Sequence, residues 1–446
     1  MPTPVRTNIR IIKMRDPDGH ISFDETRIVR HIYKGASSLS FIHSSLSSRL
    51  VHDEMLVPYE FIADDKIISP RYQFITYPYE WSDAQLHDAA CLTLRIARIC
   101  EKYNYELKDA SAWNVIFDGC KSIFCDHLSF KEIEHREWWA FGQFARHFIY
   151  PLALSNTVSL NAHKVFLLYR DGLNHDDFKN IIGSKIYLSR YLPLLLIRNS
   201  RGQPSAPLLH VKKGRTLHEN LFSLAEYLLR DKRTDKTNTT WINYTKERGH
   251  YGNASIQLKR EYVDKWIKKV RPEWVVDFGA NTGEFSYIAR KYNSKVIAID
   301  HDHDCMENLY LNNHGTKDIY PVIAELSDIV GGRGWNGSEY PGLIDRMMNK
   351  IDMVMMLAII HHLTISEGIG VHDVFRLAHK ITRCAAILEL VNNDDPQARL
   401  LADQRNRDIS NLSIEHQKVL LQGYFDIEDS INYADGNREL VLARKK

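Results

Sequence analysis

Asp277, Gly279, Asn281, Gly283 and Glu284 crowd into one short run, WVVDFGANTGEF from residue 274 to 285, and Asp300 closes the apolar run KVIAI that follows it. Glycines at 279 and 283 let the backbone pass close beneath a ligand where a Cβ would clash, and a helix starting near Gly283 offers unpaired amide donors. An acid at the end of the next strand, about 20 residues on, is placed to accept both hydroxyls of a ribose. A dinucleotide does not fit. Asn281 and Glu284 stand where G-x-G-x-x-G needs glycines, and Asp277 with Glu284 would repel a pyrophosphate. The same acids suit a ligand bearing a sulfonium and an ammonium group.

The elements that must hold these residues are legible from periodicity. The run reads as strand, glycine turn, helix, strand and acidic cap. Residues 319–324, 351–357 and 384–391 are further apolar strands, separated by segments of helical period such as 371–381. That alternation means a parallel sheet covered on both faces. At the chain end, 425–433 and 439–444 flank Asp435-Gly436-Asn437, a turn that joins antiparallel strands. The glycine run resembles motif I of class I methyltransferases, D-x-G-x-x-x-G, and the inferred cofactor is S-adenosylmethionine. A terminal hairpin on an otherwise parallel sheet is likewise characteristic of that class.

His361 and His362 follow directly on the fourth strand, at the carboxyl edge where open α/β sheets bind ligands. A histidine there can take a proton from an acceptor hydroxyl or amine, or simply shape the pocket. Glu389, at the end of the fifth strand, and Asp394 are further candidates for holding acceptor hydroxyls. The cluster His301 to Asp304 coincides with the cap after strand two, so it is read as a helix cap facing the cofactor and not as a metal site; no metal site is expected. The glycine-rich segment 331–337 is read as a mobile loop near the acceptor.

The N-terminal half carries a different constellation. Asp109, Asn114 and Asp126, with short apolar strands between, match the spacing of a protein-kinase-type catalytic loop and metal-binding Asp. Residues 72–77 read as a strand leading into Pro78, and 83–103 as an amphipathic helix, the order of a kinase hinge and the helices after it. No glycine-rich loop precedes a strand in residues 1–70, no V-A-I-K-like lysine stands out, and His127-Leu128 follow Asp126 in place of Phe-Gly. The half is therefore read as an α+β, degenerate kinase-like domain used for binding or scaffolding.

Composition excludes other classes. A net charge of +2 on 58 basic and 56 acidic residues gives no global field for nucleic acid or an anionic membrane, and there is no clear nucleic-acid signal. The six cysteines show neither C-x-x-C nor zinc-like spacing, and they read as reduced core residues. No apolar leader and no run of about 18 apolar residues is present, so no membrane span and a cytoplasmic location are expected.

Several motifs in one order carry a resemblance over nearly the whole chain: YPYEWS at 77–82, LKDASAWN at 107–114, CDHLSF at 125–130, then the 277–285 run, LAIIHHL at 357–363 and LELV at 388–391. It resembles bacterial nodulation-protein-type (NoeA-like) methyltransferases, whose members are associated with modification of cell-surface or signalling glycans. The resemblance implies a cofactor set of Asp277, Gly279, Asn281, Gly283, Asp300, Glu325 and Leu357. Glu325 stands where the family tends to carry Asp facing the adenine amino group, and a longer acid can accept the same hydrogen bond. The expected organisation is a kinase-like domain at 1–204, a helical linker or lid at 205–260 carrying Trp241, Tyr244, Tyr251 and Lys259, and a methyltransferase domain at 261–446. The expected activity is methyl transfer, O-directed, to a glycan or other small polar acceptor. A bifunctional kinase-methyltransferase of surface glycans and a non-enzymatic scaffold are the alternatives. The acceptor atom and the oligomeric state stay open.

Overall fold

A computed structural model describes residues 10–12, 16–23, 26–134, 138–188, 193, 217–229 and 253–446. The chain divides into two compact units, Met1–Thr234 and Asp235–Lys446. The boundary expected between 204 and 205 and the aromatic lead-in at Trp241, Tyr244 and Tyr251 lie outside the described residues.

The first unit opens with an antiparallel sheet of β1 (Arg10–Ile12), β2 (Gly19–Phe23), β3 (Arg27–Ile32), β4 (Glu60–Ala63) and β5 (Lys66–Pro70), ordered β1-β2-β3-β5-β4. Two short pairs follow, β6 (Tyr105–Leu107) with β9 (Phe130–Glu132), and β7 (Val115–Asp118) with β8 (Lys121–Phe124). The helix expected at 83–103 is Asp83–Lys102. Ser82 and Gln85 close a reciprocal capping box at its start, and it buries Leu86, Ala90, Leu94 and Ala97. A strand expected at 72–77 does not form. The backbone there is tied to local groups instead: Tyr77 N donates to Glu80 Oε2 at 2.9 Å, and Pro78–Glu80 is a single 3₁₀ turn. Proline cannot donate to a ladder, and Glu80 supplies the amide's partner in its place.

The second unit is one seven-stranded sheet. Its strands are β10 (Trp274–Phe278), β11 (Lys295–Asp300), β12 (Ile319–Ile323), β13 (Met353–Met356), β14 (Ala385–Val391), β15 (Phe425–Tyr433) and β16 (Arg438–Lys445). The order is β12-β11-β10-β13-β14-β16-β15. The first five are parallel, whereas β16 runs antiparallel to β14 and β15 antiparallel to β16. Strands β10 to β14 are apolar on both faces because helices cover both. On one face Val263, Trp266 and Ile267 of helix Asn253–Val270 pack with Ala289, Met306 and Leu309 onto Val275, Val296, Met353 and Ile387. The order reverses at β10, which pairs with β11 on one side and β13 on the other. At such a point the loops leaving the carboxyl ends diverge and open a crevice.

Candidate active site

A cavity of about 570 Å³ sits in that crevice, within the range of pockets that take a drug-sized ligand. Each parallel strand from β10 to β13 contributes from its carboxyl end: Gly279 to Thr282 after β10, Asp300 and His301 from β11, Glu325 and Leu326 after β12, and Leu357 to Ile359 after β13. Two backbone positions there adopt left-handed geometry without being glycine, Asn281 at φ +51 and Ala358 at φ +58. Such strain persists only where its surroundings fix it.

The glycine turn is built for close approach. Gly279 has φ +74, and a Cβ would meet Ile359 Cβ at 3.3 Å; Gly283 has φ +89, and a Cβ would sit 2.5 Å from Leu309 Cδ1. The two serve different ends. Gly279 lines the cavity, while Gly283 lets the helix Glu284–Lys291 start against Leu309. Asp300 fixes the turn: its Oδ2 accepts from Asn281 N at 2.8 Å and its Oδ1 from Asp302 N at 2.9 Å. Burial raises its carboxyl above the ordinary carboxylate value, and the two amide bonds offset part of that rise. Asp302 caps helix His303–Asn312, its Oδ1 accepting from Asp304 N and Cys305 N, as the cluster's spacing implies.

Asp277 does not line the cavity. It is buried behind the turn, accepts from Ser286 Oγ at 2.7 Å, and is pushed up to about 6, chiefly by burial and further by nearby Asp300 and Glu284. Glu389 does not line it either. Its two oxygens are taken by Lys259 Nζ and by Arg438 Nη1, the latter at 2.9 Å, and Arg438 also grips Asp395 at 2.8 and 3.1 Å. Burial opposes the Glu389 charge, but the two cations outweigh it and hold the carboxyl well below the usual range. A carboxylate so occupied is not placed to hold acceptor hydroxyls.

His361 and His362 do line the cavity, their rings 4.4 Å apart, and a π-turn over His362–Ser366 leads away from them. Burial lowers both imidazoles, with His362 and Arg438 adding to the effect at His361. The segment 331–337 is drawn into a turn by the Arg333–Tyr340 bridge and does not line the cavity. Sequence reasoning missed a further part of the cavity wall. Gln397, Leu400, Leu401 and Gln404 share one face of helix Pro396–Arg405, while Ala398 and Ala402 bury the other. Their i, i+3, i+4, i+7 spacing after the Asp395-Pro396 cap was the available signal.

In the first unit the expected triad is assembled through Ser129. Ser129 Oγ donates to Asp126 Oδ2 at 2.5 Å, and Asn114 Nδ2 donates to Ser129 Oγ at 2.9 Å and to Asp109 O at 3.5 Å. Arg30 of β3 donates to Asp126 Oδ1 at 2.8 Å and to Cys125 O at 3.2 Å. Burial, then the Asp126 charge, raises the Asp109 carboxyl.

The strand order, the antiparallel terminal pair and the glycine-turn cavity at the sheet's reversal give the second unit the architecture of the class I methyltransferase fold. Along nearly its whole length the chain is similar to nodulation protein NoeA of Rhizobium meliloti (strain 1021), 25% identical over 417 residues that cover 88% of this chain and 87% of that protein. No family model matches the chain. Similar solved structures include the N-methyltransferase NodS of Bradyrhizobium japonicum WM9, 8% identical, with a TM-score of 0.32 over 43% of this chain and 97% of that one. Another is magnesium protoporphyrin IX methyltransferase of Synechocystis PCC 6803 with bound S-adenosylhomocysteine, 13% identical, with a TM-score of 0.33 over 48% and 97%. No helix among the described residues is long and apolar enough to cross a membrane.

Proposed function

We propose that the second unit transfers a methyl group from S-adenosylmethionine to an oxygen of a glycan or other small polar acceptor. The observation that carries this reading is the convergence on one cavity of the glycine turn, Asp300, Glu325 and His361. When bound, the cofactor supplies a methyl group on a cationic sulfur. Asp300 would accept the ribose hydroxyls with the lone pairs its two amide bonds leave. Glu325 would accept from the adenine amino group, with Leu357 as an apolar wall and Gly279 and Asn281 giving backbone access. Asp277 and Glu284 supply negative potential for the cationic end. The residues fit the group: Asp300 and Glu325 line the cavity as acceptors, and Gly279 keeps the backbone approachable where a Cβ would meet Ile359. On the acceptor side Gln397 and Gln404 offer amides and Leu400 and Leu401 an apolar surface, a mixture suited to a sugar ring. Transfer of labelled methyl from S-adenosylmethionine to a panel of mono- and oligosaccharides tests this; a panel of amines labelled in preference would contradict it.

We further infer that the first unit is a kinase-like scaffold that does not hold magnesium nucleotide. Asp126 supports this, because Arg30, Leu128 N and Ser129 take its oxygens, and a guanidinium stands where a metal would need to. The whole protein is inferred to work in the cytoplasm.

A further inference from the structure

His361 is 4% exposed, and its two ring nitrogens face different surroundings. Nδ1 is enclosed and has no hydrogen-bond partner among the described residues, whereas Nε2 takes no partner among them either yet is not enclosed, in a residue that lines the cavity. A buried N–H without an acceptor is rarer than an unsatisfied lone pair. The proton therefore belongs on Nε2, and His361 presents a donor to the cavity.

A histidine base is normally oriented by a carboxylate or carbonyl on its other nitrogen, which also stabilises the imidazolium. Among the described residues nothing accepts from Nδ1. The neighbouring carboxylate, Glu389, is committed to Lys259 and Arg438, and the groups facing the ring are His362, Arg438 and Lys259 against that one acid. Lys259 and Arg438 line the cavity, while their partners Glu389 and Asp395 do not. His361 thus lines the cavity together with two cations whose own carboxylate partners are Glu389 and Asp395. Of the acids that line it, Glu284 is paired with Arg260, Asp300 accepts from Asn281 N and Asp302 N, Glu325 accepts from Ser327 Oγ, and Glu367 is exposed.

We propose that the methyl acceptor is a carboxylate, the acid group of a small polar molecule such as a sugar acid, and that His361 orients it by donating from Nε2. This rests on the oxygen-directed reading above and names its substrate class. A carboxylate arrives without a proton to lose. Its oxygen forms the new O–CH₃ bond as the S–CH₃ bond breaks with its electron pair left on sulfur, so a cationic donor and an anionic acceptor give a neutral ester and a neutral thioether. An alcohol would need its proton removed, and His361 is poorly placed to do it.

The test uses the full chain with ¹⁵N-histidine, saturated with S-adenosylhomocysteine, the His361 signals being identified by their loss in His361→Gln. The expected spectrum shows a neutral Nε2–H tautomer throughout pH 6.5 to 8 that shifts on adding glucuronate and does not shift with glucose. An Nδ1–H tautomer, an imidazolium in that range, or no response to glucuronate overturns the proposal. In parallel, tritiated methyl is offered with glucuronate or glucose. Label recovered as methanol after mild alkali marks an ester and supports the proposal; an alkali-stable ether on glucose, or transfer that collapses in Glu367→Gln, overturns it. If neither sugar is labelled, the tautomer and its response to glucuronate decide. His361→Ala should raise KM for glucuronate about tenfold or more, with His361→Gln, which keeps a donor, in between. Failure to bind S-adenosylhomocysteine would instead defeat the underlying methyltransferase reading.

Discussion

Arg438 of β16 and Glu389 of β14 meet across neighbouring antiparallel strands, Nη1 to Oε1 at 2.9 Å, with both side chains shut away from solvent. Lys259 completes the pairing from helix Asn253–Val270, so one buried carboxylate ties the helix to the sheet's antiparallel edge. Removing one partner of such a pair strands the others in a low dielectric. Glu389→Ala should cost about 3–5 kcal/mol of unfolding free energy, measured by urea denaturation. Because the carboxyl is held below its ordinary value, its contribution is present at neutral pH and is lost as pH falls from the unfolded carboxylate value toward the folded one. Glu389→Gln should therefore flatten the acid limb of the stability curve.

Asp277 behaves in the opposite sense. Its carboxyl is raised to about 6 in the folded unit, so the folded protein binds a proton that the unfolded chain has released. Stability should fall as pH rises from about 4 to 6, with a slope of at most about 1.4 kcal/mol for each step of one in pH. Asp277→Asn should remove that slope and be the more stable protein at pH 7 without ligand. Parallel slopes in thermal melts between pH 4 and 8 would contradict the assignment.

Much of this unit was legible because its signals are local. The 274–285 run fixes strand, turn and helix by residue type, and the apolar strands β12 to β14 stand within two residues of where periodicity puts them. Contacts between distant positions were not legible. Nothing near Glu389 announces Lys259, 130 positions away, or Arg438, and so an anchored acid reads from sequence like an available one. Asp277 misled for a related reason: its place in the glycine run says nothing of the side chain turning back to Ser286. In the first unit the antiparallel sheet escaped notice because β1 to β5 are short and half-polar. Arg30 is invisible as Asp126's partner until β3 is placed.

Gly283 should tolerate no side chain. Its φ of +89 disfavours any L-residue, and a Cβ meets Leu309. Gly283→Ala should destabilise the unit by about 1–3 kcal/mol. Adding Leu309→Ala would relieve the contact but not the backbone, so chemical denaturation of the double variant should show no return to the original midpoint.

In the first unit, magnesium ATP should give no heat on titration while Arg30 is present. Arg30→Ala should lower stability by leaving Asp126 facing Asp109 and Asp16 without its cation. Magnesium-dependent nucleotide binding by the unaltered protein, abolished in Asp126→Ala, would show an active nucleotide site in place of a scaffold.

The most direct measurement is calorimetric titration of the full chain with S-adenosylmethionine and S-adenosylhomocysteine, alongside Asp300→Ala checked for folding by circular dichroism. The predicted result is micromolar-range binding of both by the unaltered protein, weakened at least about tenfold by the loss of the acid that accepts the ribose hydroxyls. Folded, unaltered protein that binds neither ligand, or an Asp300→Ala variant that binds both equally well, would contradict the site.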